Sequence, residues 1–335
     1  MNAKELLQSS IVIDTHLDLL CDVVPKRRAG RTHVLRDDYL ASFRAGGVTC
    51  VVSSLFNDIE GESVDPLTDA MTQIGALYAE LSECGDDFFL ALNADDIRRA
   101  KEEHKIAVML AFEGAEPMAG NVELLRVFYR LGVRVLGLCW SRSNWAADGC
   151  KFADAGYIGY DITSDGKRLI ALARDLGMLI DLSHTNERGF WSVIQGGFPV
   201  IESHTNTRAL ADIPRNLSDK QLEAVARSGG VIGINGYSRL AAKDPRTATM
   251  DTLIAHMVHE KNLIGAGSLC LGLDQCDRIH TYASEEEKKI RFDIIPSHAM
   301  LEEFVTRMSA AGFTACEIRG ILGANALRVI EKVIG

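Results

Sequence analysis

Ile11-Val-Ile-Asp-Thr-His-Leu-Asp-Leu19 opens on three apolar, β-branched residues and runs into a polar tip carrying His16 and Asp18. A run of this kind followed by a loop reads as a buried strand whose end turns into a cleft. Residues two apart on an extended chain point the same way, so His16 and Asp18 face one side together. Imidazole beside carboxylate is a ligand pairing that zinc and similar divalent ions accept. The pattern recurs. Further apolar runs follow at Val48 to Leu55, Ile106 to Gly114, Val133 to Trp140 and Met178 to His184. Three more lie at Val200 to His204, Val231 to Asn235 and Ser268 to Asp274.

Helical segments separate the runs. The spacing predicts helices over Asp69 to Cys84, Asn121 to Leu131, Asp165 to Leu176 (capped by Ser164) and Asn186 to Gln195. Others start at Asn93 and at Ser218-Asp219, and span Met250 to Lys261, Ser297 to Ala311 and Thr314 to Ile334. Cys21 to Gly47, with its basic patch Lys26, Arg27, Arg28 and Arg31, reads as a solvated excursion with few core residues. Gln275 to Pro296 is polar and reads as a long surface loop. Eight β/α units over this length predict an α/β fold, a closed (β/α)8 TIM barrel, as one domain over residues 1–335.

Composition narrows the function. With 335 residues, 47% of them hydrophobic and 24% charged, the chain can bury a large core and is ordinary for a soluble globular protein. A formal net charge of −10 argues against nucleic acid or an anionic membrane as partner, since both call for a basic face. Met1 to Ser10 lack the apolar core of a signal peptide, and no run is long enough to span a bilayer. The eight cysteines are scattered, and Cys50, Cys139 and Cys270 sit inside apolar runs, as reduced thiols do. A cytoplasmic location follows as an expectation.

Ligand-type side chains fall at the ends of runs one, three, five, six and eight, the rim where barrel active sites lie. His16, Asp18, Glu113, His184 and His204 supply three imidazoles and two carboxylates. A single catalytic zinc needs about three protein ligands, so five fit two ions if one carboxylate bridges. Glu113, alone on its strand, is the natural bridge. His184 and His204, on adjacent strands, can bind one ion and leave the other to His16 and Asp18.

Asp14-Thr-His16-Leu-Asp18, Phe112-Glu113-Gly114, Asp181-Leu-Ser-His184, Ser203-His204, Arg215-Asn216 and Leu271-Gly-Leu-Asp274 occur in this order. On these residues the chain resembles the membrane dipeptidase (renal dipeptidase) family of zinc metallopeptidases, as a bacterial-type soluble member, essentially end to end. The resemblance implies a binuclear zinc barrel that cleaves the peptide bond of dipeptides by attack of a metal-bridging hydroxide. It assigns His16 and Asp18 to one zinc, His184 and His204 to the other, and Glu113 to the bridge, with other divalent metals able to substitute. It gives Arg215 the substrate's terminal carboxylate, and Asp274 both proton transfer and the free amine. It also implies a homodimer. Trp140 departs from the family, whose dipeptide-cleaving members place a histidine at this strand end. Bulk and a single N–H donor there predict a pocket suited to a flat or apolar side chain. A related amidohydrolase acting on an N-acyl amino acid or lactam-like amide is the alternative that Trp140 keeps open. A metal-bearing barrel serving only as a binding protein is a third.

Overall fold

The structure, a computed structural model, describes residues 2–57, 65–150, 157, 159–279 and 284–335. The strands are β1 (Ile13–Leu17), β2 (Cys50–Leu55), β3 (Phe88–Leu90), β4 (Ile106–Glu113), β5 (Val133–Gly137), β6 (Leu179–Asp181), β7 (Val200–Thr205), β8 (Val231–Ile234) and β9 (Leu269–Leu271). All pairings between them are parallel, and β2 pairs directly with β4. The register Asp14↔Leu271 joins β1 to β9 and closes a ring of eight strands, which leaves no open edge. The chain is therefore a (β/α)8 TIM barrel, with each of the eight apolar runs supplying one strand of the ring. Strand β3 lies outside the eight apolar runs and, among the described residues, pairs only with the start of β4 (Phe88↔Ile106).

Period-two alternation divides the strand residues between two layers. Ile13, Cys50, Val52, Ala107, Met109, Val135, Leu179, Ile201, Val231 and Cys270 form one buried cluster inside the ring. The helices Ala94–Glu103 and Asn325–Val333 pack Ile97, Ala100, Val329 and Ile330 against it. Gly323, on the approach to the second helix, lies so close to β1's entry that a Cβ would meet the Ile11 carbonyl oxygen at 2.4 Å. That contact interrupts the expected Thr314-to-Ile334 helix, which runs as Ala315–Arg319, a wider turn over Gly320–Ala324, and Asn325–Val333. The alternate residues, among them Val51, Leu110, Phe112, Leu136, Ile180 and Ile232, face the surrounding helices in the main core.

Cys21 to Gly47 is not a solvated excursion. It holds the helices Leu19–Arg28 and Leu40–Ala45 and buries Val23, Leu35, Tyr39 and Phe43. Three of the four cations of its basic patch are spent within the molecule, and Arg28 is exposed. Lys26 pairs with Asp22 and Asp38 at 2.5 and 2.8 Å, Arg27 with Glu83 at 2.8 Å and with Glu80, and Arg31 with Asp38 at 2.8 Å. The polar stretch Gln275 to Pro296 lies partly outside the described residues. Its described part contains a short helix, Glu285–Lys288, and the buried residues Asp293, Ile294 and Ile295. Thr163, not Ser164, caps the helix after β5.

Helix Met250–Ile264 carries a buried acid, Glu260, whose two carboxylate oxygens find no hydrogen-bond partner among the described residues. Burial pushes its pKa up to about 8. Between the ordinary carboxylate range and that value the folded chain keeps a proton that the unfolded chain has released, so stability falls as pH rises through this window. Glu260→Gln removes that dependence. Its melting temperature should gain on the wild type between pH 6 and pH 9 by several degrees, on the order of a few kcal/mol. A wild-type-to-variant difference that stays constant with pH would clear Glu260 of the effect.

Candidate metal centre and active site

The predicted site residues meet at the C-terminal rim. His16 lies in β1 with Asp18 just beyond it, Glu113 ends β4, His204 lies in β7, and His184 and Asp274 follow β6 and β9. His184 and Asp274 adopt left-handed backbone angles (φ 68° and 53°), conformations that cost a non-glycine residue about 1–2 kcal/mol. The chain turns sharply there, and both side chains face the centre.

Glu113 sits in the middle with its two oxygens turned to different partners. Oε1 lies 3.0 Å from His184 Nε2 and 3.8 Å from His204 Nε2, and Oε2 lies 3.6 Å from His16 Nε2. His16 Nε2 is in turn 3.5 Å from Asp18 Oδ1 and 3.9 Å from Asp274 Oδ1. Donor atoms of His16, Glu113 and His204 lie within 4.8 Å of one another, and so do those of His16, Asp18 and Asp274. The His184 and His204 Nε2 atoms stand 2.9 Å apart. His16 Nε2 and Glu113 Oε2 are buried without hydrogen-bond partners among the described residues. Polar atoms left so would destabilise the fold unless something else binds them. Nitrogen and carboxylate donors converging on shared space suit zinc or a similar divalent ion.

Electrostatics fit the same use. Burial, then the positive charge of Arg215, holds the His184 imidazole well below its ordinary pKa, and burial with His16 does the same for His204. Burial thus favours the neutral form of both rings, the form that binds a metal. Burial and the charge of Asp18 push Glu113 up to about 8. Burial alone would lower His16, but Glu113 and Asp18 outweigh it and hold the ring's pKa well up. Burial also raises Asp274. Asp18 is lowered against its burial, by His16 and then by the Ser54 hydroxyl. Acids crowded with so little opposing charge are a place for a cation.

Outer contacts orient the rings. Ser203 Oγ donates to Asp181 Oδ2 at 2.5 Å and stands 2.7 Å from His204 Nδ1. Its single hydrogen is spent on Asp181, so His204 Nδ1 carries the proton and Nε2 keeps a free lone pair. Ser141 Oγ is 2.7 Å from His184 Nδ1, and Ser54 Oγ donates to Asp18 Oδ1. Behind β1, Asp14 Oδ2 meets His298 Nε2 at 2.7 Å and Oδ1 accepts from the Leu273 amide at 2.9 Å, tying β1 to the segment beyond β9. Asn235 Nδ2 donates to Asp274 Oδ2 at 2.9 Å. Ser141, Asn235 and His298 lie outside the sequence motifs and enter the site only through these contacts. Asn235 could have been found by its place at the end of the seventh run. His298 carries no local signal, because its partner is 284 residues away.

Arg215, in the loop after β7, is buried, and its Nη2 donates to the His204 carbonyl at 2.7 Å. Its Nε has no hydrogen-bond partner among the described residues. Trp140 is half-buried, its ring 5.6 Å from the His184 ring and 5.6 Å from Phe56, with the Arg142 guanidinium 5.2 Å away. It therefore stands at the border of the metal centre rather than in the barrel core.

Residues 1–334 match the model of the family described as membrane dipeptidase (peptidase family M19). An uncharacterised protein encoded in the pqqA 5′ region of Klebsiella pneumoniae is 30% identical over 275 residues, which cover 80% of this chain and 97% of that protein. Dipeptidase tcpJ of Claviceps purpurea (strain 20.1) is 28% identical over 80% of this chain, and the match spans 60% of the fungal protein. The fold is shared with a Rhodobacter sphaeroides metallopeptidase solved with a phosphinate mimic of the dipeptide L-Ala-D-Ala. The TM-score is 0.84 at 22% identity, over 97% of this chain and all of that one. Among the described residues, no helix is long and apolar enough to cross a membrane.

Proposed function

The chain belongs to the membrane dipeptidase family, peptidase family M19, and is a metallodipeptidase by that membership; on that footing we propose that its centre is binuclear and zinc-loaded. In this reading His16 and Asp18 hold one ion, His184 and His204 hold the other, and Glu113 reaches both. The observation that carries it is the division of Glu113: one oxygen turns to the His184–His204 pair and the other to His16. Two such ions, when bound, supply a water acidic enough to act as hydroxide nucleophile and positive charge to draw on the scissile carbonyl.

The protein's own groups would do the rest. The open N–H positions of Arg215 suit the terminal carboxylate of a substrate, which a guanidinium fork can hold bidentately. Asp274, fixed through Asn235, would hold the free amine and carry a proton from the attacking water to the leaving nitrogen. A site that grips both ends of a substrate sets its length at two residues. Zinc-loaded protein should release free amino acids from a pool of dipeptides and leave tripeptides and C-terminally amidated dipeptides intact. Turnover of N-acyl amino acids in preference to dipeptides would instead favour the amidohydrolase reading, since an acylated nitrogen offers Asp274 no charged amine.

Trp140 supports a narrowed pocket, because it stands beside His184 rather than inside the barrel. Its indole can donate one neutral N–H, so it adds no positive charge to the reaction. Trp140→Ala should change the rank order of dipeptides, favouring bulkier side chains near the scissile bond. Uniform slowing with the order unchanged would deny Trp140 a part in specificity.

A further inference from the structure

Asp274 is the group on which the proposed proton transfer turns, and its left-handed backbone does not by itself fix where the carboxylate points. Two side chains do. Asn235 Nδ2 reaches Oδ2 at 2.9 Å, and the amide cannot flip away, because its own Oδ1 accepts from the Tyr237 amide at 2.7 Å. The Cys276 sulfur reaches the other oxygen, Oδ1, at 3.3 Å, a short contact for a thiol donor, and stands 3.3 Å from the Asp274 carbonyl as well. Cys276 is buried, and its place is set from behind. Asp293, itself buried, accepts from the Cys276 amide at 2.9 Å through Oδ1 and from the Asp277 amide at 2.8 Å through Oδ2.

We propose that Cys276 is a positioning residue for Asp274: its thiol donates to Oδ1 and, opposite Asn235, stops the carboxylate from rotating out of line with the substrate amine. An ionised carboxylate can only accept, so the thiol is the donor in this pair. A thiol is a weak donor. That suits the task, because it restrains the carboxylate without binding it so tightly that its affinity for the substrate's proton is lost. The same thiol fills the space beside Asp274, so an alanine there removes both donor and bulk and a serine restores the donor alone. This role rests on the assignment of Asp274 to the dipeptidase reaction.

Two measurements test it. With zinc-loaded Cys276→Ala, kcat for a dipeptide should fall about tenfold, as for a misplaced reacting group, and KM should rise, since Asp274 also holds the substrate amine, with metal content held at the wild-type value. Cys276→Ser should recover most of the loss. Wild-type kcat in Cys276→Ala, or a loss that follows metal content, would overturn the proposal. The second measurement needs no substrate. The S–H stretching band of Cys276, isolated as the infrared difference between wild type and Cys276→Ala, should lie at the lowered frequency of a hydrogen-bonded thiol and rise in Asp274→Ala. A band that ignores Asp274→Ala would overturn the proposal even if no dipeptide is ever turned over. Inactivity of the wild type on dipeptides with the band shift present would instead count against the dipeptidase reading.

Discussion

Glu113→Gln should strip the centre of both ions and lower dipeptide hydrolysis by on the order of 10³-fold or more. Substitutions that merely disturb a ligand's outer partner cost roughly 10–100-fold in metal affinity, and a ligand shared by two ions must cost more. The amide keeps the shape of the carboxylate but loses its charge and one of its two acceptor oxygens. His184 and His204 would then face an ion as two neutral rings, short of the three or four donors that zinc takes. His16 and Asp18 would be left equally short. Metal analysis of the purified variant beside the wild type checks the expectation. A variant that retained both ions, or lost one alone, would show that Glu113 does not reach across the pair.

Arg215→Lys should lower kcat/KM for dipeptides by roughly 100-fold, about 3 kcal/mol, the scale of a buried charge-assisted hydrogen bond. The guanidinium already gives Nη2 to the His204 carbonyl, and among the described residues its Nε has no partner and is left for a ligand. A lysine ammonium keeps the charge but is a point donor, so it can serve the His204 carbonyl or a substrate carboxylate with good geometry, not both. The loss should be specific. Free and C-terminally amidated dipeptides should differ widely with the wild type and far less with the variant. Equal turnover of the two by the wild type would remove Arg215 from the substrate site.

The barrel was legible because short apolar runs recur eight times with helices between them, and ring closure follows from pairing each strand with its neighbour. The candidate ligand residues stood out for a related reason, since each stands where a run ends. What escaped depends on contacts between distant parts of the chain. Cys21 to Gly47 looked solvated because its arginines and lysine stand out in the sequence. The acids that neutralise Arg27, Glu80 and Glu83, come more than 50 residues later. Strand β3 has three residues, Phe88-Phe-Leu90, too few to display a period. The orientation of His204 hangs on Ser203 and Asp181 from another strand, and that of Asp274 on Asn235 and Cys276. Sequence order says which residue types arrive at the rim. Only the packed structure says which atom of each faces inward.

The binuclear centre bridged by Glu113 is the claim on which the other assignments depend, and metal stoichiometry tests it most directly. Protein freed of metal, reloaded with excess zinc and desalted should carry about two zinc ions per chain by elemental analysis, one for each of the donor pairs His16–Asp18 and His184–His204 to which Glu113 turns its two oxygens. A content that saturates at one ion per chain, however much zinc is offered, would contradict the account.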